Sequence, residues 1–226
     1  MDLSKACIIN AAWQKWYPRG QKRLVESLRY HGFAGTILTW TNEHINGHFD
    51  ERHPYTIKAA ALAQAMNDGY KQILWLDCSV WCAQNPNDFF QIIQDEGVFM
   101  WKSGYNLCQT AADSDLQFAG ISRDDAVNLD ECASSMVGIN LDNPKGLRVA
   151  ETFIEANRAG VCSTSREHAE QSSDPRFLFA RQDQTAFTIA FHKSGFTKMY
   201  EPGEYTAYYE PNKEFKKSIV FFMQGL

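Results

Sequence analysis

One stretch decides the fold: Gln72-Ile73-Leu74-Trp75-Leu76-Asp77-Cys78-Ser79-Val80-Trp81, an apolar run that ends abruptly in a carboxylate. Such a run, preceded by the turn-forming segment Asn67–Lys71, is typical of a strand buried on both faces. Open α/β sheets bind their ligands in the crevice beyond the carboxyl ends of such strands. Asp77 is therefore the first residue that we expect to take part in chemistry. An aspartate that only caps the following turn is an alternative of equal weight.

Apolar runs and helical patterns alternate on both sides of this stretch. The runs Ala6–Ala12, Thr36–Trp40 and Met136–Leu141 predict further strands. Helical spacing of apolar residues predicts helices over 21–31, 55–68, 147–159 and 183–193, with another after Asn87. This alternation predicts one α/β domain over residues 1–226, with a mostly parallel central sheet flanked by helices and an irregular second half.

Composition narrows the class of protein. The 226 residues carry a formal net charge of -5, so nothing indicates a broad nucleic-acid-binding surface. No apolar run approaches the roughly 20 residues that span a bilayer, and the start carries no signal segment. The six cysteines are scattered without a C-x-x-C pair, which favours a reduced, cytoplasmic protein.

Two further groups of residues invite a chemical interpretation. Arg181-Gln182-Asp183-Gln184 opens the last predicted helix, where Asp183 is either a capping acid or a crevice residue that holds sugar hydroxyls. Arg181 would then be placed for a diphosphate or for orienting Asp183. Lys58 lies in an alanine-rich helix, either on its solvated face or near the end of the Asp77 strand. Trp13 and Tyr17 follow the first strand, where stacking on a nucleobase competes with core packing or simple exposure.

Several other sites are disfavoured by spacing. The histidines and acids between residues 44 and 53 resemble a metal cluster, but their spacing matches no helical two-histidine zinc motif. Cys78 and Cys82 are better explained as structural residues than as ligands. No Gly-x-Gly-x-x-Gly, Gly-Lys-Ser/Thr or Gly-x-Ser-x-Gly motif is present, so dinucleotide, P-loop and hydrolase-elbow interpretations are disfavoured.

As an ordered set, these motifs resemble nucleotide-sugar-dependent glycosyltransferases of the GT-A class, in a bacterial and phage branch. The resemblance is carried by Tyr55–Leu62, Gly69–Trp81, Val137–Asn140, Asp174–Phe177 and Arg181–Gln184, which span most of the chain from about residue 8 to 196. It implies a nucleotide-binding half at about 1–101 and an acceptor half at about 102–226. It also implies a UDP-sugar or another nucleoside-diphosphate sugar as donor.

The resemblance also assigns roles to particular residues. The residues that it places at the donor are Asn10, Trp13, Tyr17, Lys58, Asp77 and Ser79. It implies a Mn²⁺ or Mg²⁺ ion on Asp77, in a motif whose usual form is Asp-x-Asp and in which Ser79 here replaces the second aspartate. Asp77 would then hold the metal with water, contact the donor ribose, or work without metal. The catalytic residues that the resemblance implies are Arg181, Asp183 and Gln184.

Mechanism and acceptor are left open by the sequence. Asp183, Asp113 and Asp115 are candidates for the base of an inverting transfer, whereas Gln184 or Asp183 would stabilise the transition state of a retaining one. The acceptor is a glycan, a lipid-linked sugar, a protein, or a hydroxymethylated base of phage-type DNA. A DNA acceptor would need a basic groove, for which the candidates are Arg123, Lys145, Arg148, Arg166, Arg176, Lys213, Lys216 and Lys217. An inactive nucleotide- or sugar-binding module and a nucleotidyltransferase or phosphohydrolase are the competing hypotheses.

Overall fold

The computed structural model describes residues 2–13, 16–41, 54–161 and 172–225. Within these ranges the strands are β1 (Ala6–Ala12), β2 (Thr36–Thr41), β3 (Gln72–Leu76), β4 (Val80–Cys82), β5 (Val98–Phe99), β6 (Lys102–Asn106), β7 (Asp130–Cys132), β8 (Met136–Asn140), β9 (Thr206–Tyr208) and β10 (Phe221–Met223). The helices are α1 (Tyr17–Tyr30), α2 (Ile57–Asn67), α3 (Phe89–Glu96), α4 (Leu107–Thr110), α5 (Asp113–Ala119), α6 (Arg123–Ala126), α7 (Pro144–Arg158) and α8 (Asp183–Lys193).

The central sheet has five strands in the order β2-β1-β3-β8-β5. Strand β1 pairs in parallel with β2 and β3, whereas β8 is antiparallel to both β3 and β5. Four of these five strands therefore run in one direction, which confirms the mostly parallel sheet. The reversal of β8 was not expected. It brings the start of β8 to the sheet edge at which β1 and β3 end.

Helices cover both faces of this sheet, as expected. Residues of α2, α7 and α8 form one buried cluster with alternate strand residues such as Ile9, Ile73 and Trp75. Residues of α1 and α3 form the other cluster, with Ile8 and Leu74 from the same strands. Side chains alternate along a strand, so Asp77, two residues after Trp75, lies on the side of the sheet that faces α2.

Helix α1 begins earlier than the sequence suggested. Its predicted start was Gln21, but the structure begins it at Tyr17, with Pro18 in the first turn. Proline suits that position because its fixed backbone angle is helical and the N–H that it lacks would have no partner there. Tyr17 therefore lies on the first turn of a helix rather than in a loop.

The second half is irregular, as predicted, and holds short helices and two small sheets. Strand β10 pairs with β4 and β9, and β6 pairs with β7.

In the part of the chain that the structure describes, no helix is long and apolar enough to cross a membrane. Five cysteines are described, and all of them are free thiols. The division into a nucleotide half and an acceptor half stays a prediction.

Candidate active site

A cavity of about 390 Å³ opens at the sheet edge where β3 ends. The lining comes from six places in the chain: the end of β1, the start of α1, the start of α2, the end of β3, the residue pair before β8 and the start of α8. The lining residues are Ala11, Trp13, Tyr17, Pro54, Tyr55, Ile57, Lys58, Trp75, Asp77, Cys78, Ser79, Ser134, Arg181, Gln182, Asp183 and Gln184. The expected catalytic and donor-binding residues Arg181, Asp183, Gln184, Trp13, Tyr17, Lys58, Asp77 and Ser79 therefore lie around one cavity, whereas Asn10 does not line it.

Lys58 lies at the centre of this arrangement. It is on the first turn of α2, a helix whose alanines allow it to pack closely against the sheet, and its side chain is only 8% exposed. The ammonium Nζ lies 2.8 Å from Asp77 Oδ1 and 2.6 Å from Asp183 Oδ2. It also donates to the backbone oxygen of Ser134 at 2.9 Å and to its hydroxyl at 3.2 Å. The lysine thus joins three segments that are distant in sequence.

Asp77 is held in place from two directions. Its Oδ1 accepts a hydrogen bond of 2.7 Å from the indole Nε1 of Trp75, and its backbone N–H donates to the carbonyl of Ser135 at 2.8 Å. Its side chain is 32% exposed, the most open of the three charged groups. The alternative of a simple turn cap therefore does not describe its main contacts, which are with Trp75 and Lys58.

Asp183 is the first residue of α8 and is almost completely buried. Ser134 donates its hydroxyl to the same Oδ2 that binds Lys58. The preceding residue, Gln182, is buried and has a φ of 40° with a ψ of -106°. Residues other than glycine rarely adopt this backbone conformation, and backbone strain of this kind is often found at functional sites. The turn places Asp183 at the positive end of a helix, which favours a carboxylate.

The charges of this cluster stabilise one another. Burial lowers the pKa of Lys58, but the charges and hydrogen bonds of Asp183 and Asp77 outweigh it, so the pKa of Lys58 is raised overall. Lys58 therefore stays protonated at physiological pH. One ammonium with two carboxylates leaves the cluster with a formal net charge of -1. We call Lys58, Asp77 and Asp183 the ion triad.

A second cation, Arg181, lines the cavity beside the ion triad. Its guanidinium lies 5.7 Å from the ring centre of Tyr105 and 5.4 Å from that of Phe179. Its nearest described carboxylate is the fully buried Glu131, whose Oε2 lies 3.9 Å from Arg181 Nε. Gln184 donates to the same Oε2 at 3.2 Å. Burial raises the pKa of Glu131. Arg181 is thus held by rings and by a distant carboxylate, and it keeps much of its capacity to bind an anion.

Part of the cavity wall is aromatic. Trp13, at the end of β1, and Tyr17, 45% exposed, line it together with Tyr55. Cys78 also lines the cavity, but burial raises the pKa of its thiol to about 11, so it is not a thiolate nucleophile at neutral pH.

Asn10 does not line the cavity. It is fully buried beneath it, where its amide donates to the carbonyl of Leu76 at 2.6 Å and accepts from Gln21 at 2.9 Å. Both ends of the amide are therefore occupied inside the protein. This geometry indicates a role in fixing the end of β1 against the end of β3, rather than contact with a ligand.

The fold of the chain can be compared with solved structures. A glycosyltransferase involved in the glycosylation of the major capsid of PBCV-1 aligns with a TM-score of 0.53, over 96% of this chain and 92% of that chain. The sequence identity is 15%. The chain shares its fold with this glycosyltransferase. No protein-family model and no curated protein matches the sequence.

Two residues of the site, Ser134 and Gln182, were not predicted from the sequence. Ser134 comes two residues before β8 and reaches the ion triad because β8 runs antiparallel to β3. A parallel β8 would have placed Ser134 at the opposite edge of the sheet. The only sequence signal was the small polar pair Ser134-Ser135 directly before a buried strand. The unusual backbone of Gln182 left no signal, because glutamine is not a residue that favours positive φ.

Two other candidate bases, Asp113 and Asp115, lie outside the cavity. Asp113 pairs with Arg123, and its side chain is 60% exposed. Asp115 is buried and caps α5 by accepting from the N–H of Ala112 at 3.0 Å. Neither lines the cavity. The geometry thus leaves Asp183 as the best placed of the three candidate bases.

In the described part of the chain, Asp77 does not belong to a cluster of three or more metal-ligating side chains. Across residues 2–13, 16–41, 54–161 and 172–225, no group of three His, Cys, Asp or Glu side chains could hold a metal ion. Asp77 and Asp183 approach each other, but the Lys58 ammonium lies between them. The histidines and acids of 44–53 lie outside the described residues. A metal on Asp77 therefore stays a prediction for which these contacts give no support.

Proposed function

We propose that this protein transfers a sugar from a nucleoside-diphosphate sugar to an acceptor hydroxyl in the cavity at the end of β3. The observation that carries the proposal is the convergence of Asp77 and Asp183 on Lys58 at that edge of a glycosyltransferase fold. A cavity of about 390 Å³ is within the usual size of small-molecule sites. Buried charged groups that line a cavity are a common mark of functional sites.

The donor would span the cavity from its aromatic wall to the ion triad. Trp13 and Tyr17 offer flat faces to a nucleobase, and Ser79 offers a hydroxyl at the end of β3. Asp77, the more open carboxylate, would accept hydrogen bonds from ribose or sugar hydroxyls. UDP is one nucleoside diphosphate that we propose to bind in this position.

Arg181 would bind the departing diphosphate. In the transfer, the bond between the sugar anomeric carbon and the phosphate oxygen breaks, and negative charge develops on that oxygen. A guanidinium matches phosphate geometry with two parallel N–H donors and cannot lose its proton at physiological pH. The rings of Tyr105 and Phe179 fix its position, so little reorganisation is needed as the charge develops.

Asp183 would act on the acceptor side. In a direct displacement, its carboxylate takes the proton of the acceptor hydroxyl as that oxygen bonds to the anomeric carbon. Gln184 follows it on the same helix turn and would position the sugar. Products are then the glycosylated acceptor and a nucleoside diphosphate, which distinguishes this reaction from nucleotidyl transfer.

The charged surface favours a saccharide acceptor over modified DNA. Arg123 pairs with Asp113, Arg176 with Asp124 and Asp174, and Lys213 with Glu210. Carboxylates thus already balance three of the eight candidates for a basic groove, and the formal net charge of the chain is -5. We place the reaction in the cytoplasm, where the free thiols would remain reduced.

The test is nucleoside-diphosphate release from a panel of sugar nucleotides, with oligosaccharide mixtures as acceptors and with or without Mn²⁺. Wild type should turn over one donor, and Asp183→Asn should lower the rate by about 100-fold or more, the usual contribution of a general base. Asp113→Asn is the matched control and should leave the rate unchanged, since its carboxylate lies away from the cavity.

The other outcomes are equally informative. Nucleotide binding without turnover of any donor would favour an inactive binding module, and release of pyrophosphate or phosphate would favour the nucleotidyltransferase or phosphohydrolase. Absence of both binding and turnover would overturn the proposal. Salt-dependent binding of the protein to duplex DNA would instead favour the hypothesis of a DNA acceptor.

A further inference from the structure

The oxygen cage around Lys58 is the most informative feature of the site. Four oxygens lie within hydrogen-bonding distance of Nζ: Asp77 Oδ1, Asp183 Oδ2, and the carbonyl and hydroxyl oxygens of Ser134. An ammonium has three protons, so the cage offers more acceptors than the group can fully use.

The cage has the chemistry of a site for a hard cation. Mg²⁺ and Mn²⁺ take oxygen ligands, mainly carboxylates and carbonyls, at distances near 2 Å. Two carboxylates and two neutral oxygens would be half or more of such a coordination shell. The ammonium fills this position with a positive charge and longer contacts of 2.6–3.2 Å.

Asp77 itself is engaged in a way that competes with a metal. Its Oδ1 accepts both from Lys58 and from the indole of Trp75. The residue two positions later is Ser79, which lacks the second carboxylate of an Asp-x-Asp motif. Among the described side chains, these contacts account for the charge of Asp77 without an ion.

We propose that the Lys58 ammonium takes the position of the divalent cation, so that the cavity binds its nucleotide without metal. Metal-free donor binding rests on the proposed function, whereas occupancy of the cage by lysine does not. Arg181 then meets the diphosphate, and Lys58 holds Asp77 and Asp183 at the spacing that a metal would otherwise set.

The experiment measures Mn²⁺ alone, by the loss of its free electron paramagnetic resonance signal on titration with ligand-free protein. The variants are Lys58→Ala, Lys58→Ala/Asp77→Asn, Asp77→Asn and Lys102→Ala. Lys102 is the matched control because it also bridges two carboxylates, Asp130 and Glu201, but at the surface. Mn²⁺ binding does not depend on donor turnover, so its result is distinct from failure of the proposed function.

Lys58→Ala should gain one equivalent of bound Mn²⁺, at least about tenfold tighter than in wild type, and Lys58→Ala/Asp77→Asn should lose it. Lys102→Ala should match wild type. The proposal is overturned if folded Lys58→Ala binds no more Mn²⁺ than wild type does. It is also overturned if wild type binds Mn²⁺ at a site that Asp77→Asn removes. This second comparison decides the matter even if Lys58→Ala does not fold.

Discussion

Lys58→Ala removes the positive charge from a place where two carboxylates meet, and its effect on stability can be worked out from the contacts. Removing one partner from a buried ion pair costs about 3–5 kcal/mol, because the remaining charges are left without compensation. Asp183 is 5% exposed but Asp77 is 32% exposed, so water moderates part of the penalty. We therefore expect a loss of about 3 kcal/mol at pH 7.

The assay is thermal unfolding at pH 7 in buffer with EDTA. For a chain of this size, about 3 kcal/mol lowers Tm by about 6–12 °C. The stabilising effect of Lys58 in wild type does not change near neutral pH. Its pKa is raised, so its stabilising effect is complete below the ordinary lysine value of 10.5 and is lost only at higher pH.

Two controls make the result decisive. Lys102→Ala also removes a lysine from two carboxylates, but at an exposed site, and should cost less than about 1 kcal/mol. Lys58→Ala/Asp183→Asn should recover part of the loss, because one unpaired charge is removed as well. A Tm of Lys58→Ala within 2 °C of wild type at pH 7, roughly 1 kcal/mol or less, would refute the reasoning.

Three other predictions concern separate parts of the molecule. Burial raises the pKa of Asp115 from 3.8 to about 7, so the free energy of unfolding of wild type falls by up to about 4 kcal/mol as the pH rises through about 4–7. In Asp115→Asn this fall should be smaller, and the variant should have a higher Tm than wild type at pH 8 but not at pH 4. Gly146→Ala would drive a methyl group into the carbonyls of Asn140 and Gly97, and chemical denaturation should show a loss of about 1–3 kcal/mol. Arg181→Lys keeps the charge but loses the planar fork, so calorimetry should show nucleoside-diphosphate binding weakened about tenfold, whereas unchanged affinity would place the diphosphate elsewhere.

Strong local patterns made the site partly predictable from sequence. The apolar run ending at Asp77 fixed the strand, and the position of that aspartate at a strand end indicated the crevice. Lys58 and Asp183 could each be placed on a helix, but their contact could not be predicted, since it depends on how α2 and α8 pack against the same face of the sheet. Each residue alone had an ordinary structural explanation.

The missed features share a physical cause. Strand direction is set by the route of the chain through the irregular second half, and the apolar pattern of β8 is the same in either direction. Ser134 therefore could not be predicted as a site residue. Asn10 was the opposite case: its position at a strand end was right, but burial and two internal hydrogen bonds leave it no free group.

The antiparallel β8 also has a consequence for synthesis of the chain. Strand β3 pairs with β1 as soon as both have emerged, but its other edge is filled only by β8, after roughly 60 more residues. At about 5–20 residues per second, that edge, with Leu74 and Leu76 beside it, stays open for about 3–12 s on the ribosome. Open apolar edges are the usual route to aggregation. The expected remedy during overproduction is slower synthesis at low temperature or a chaperone that covers the nascent strand.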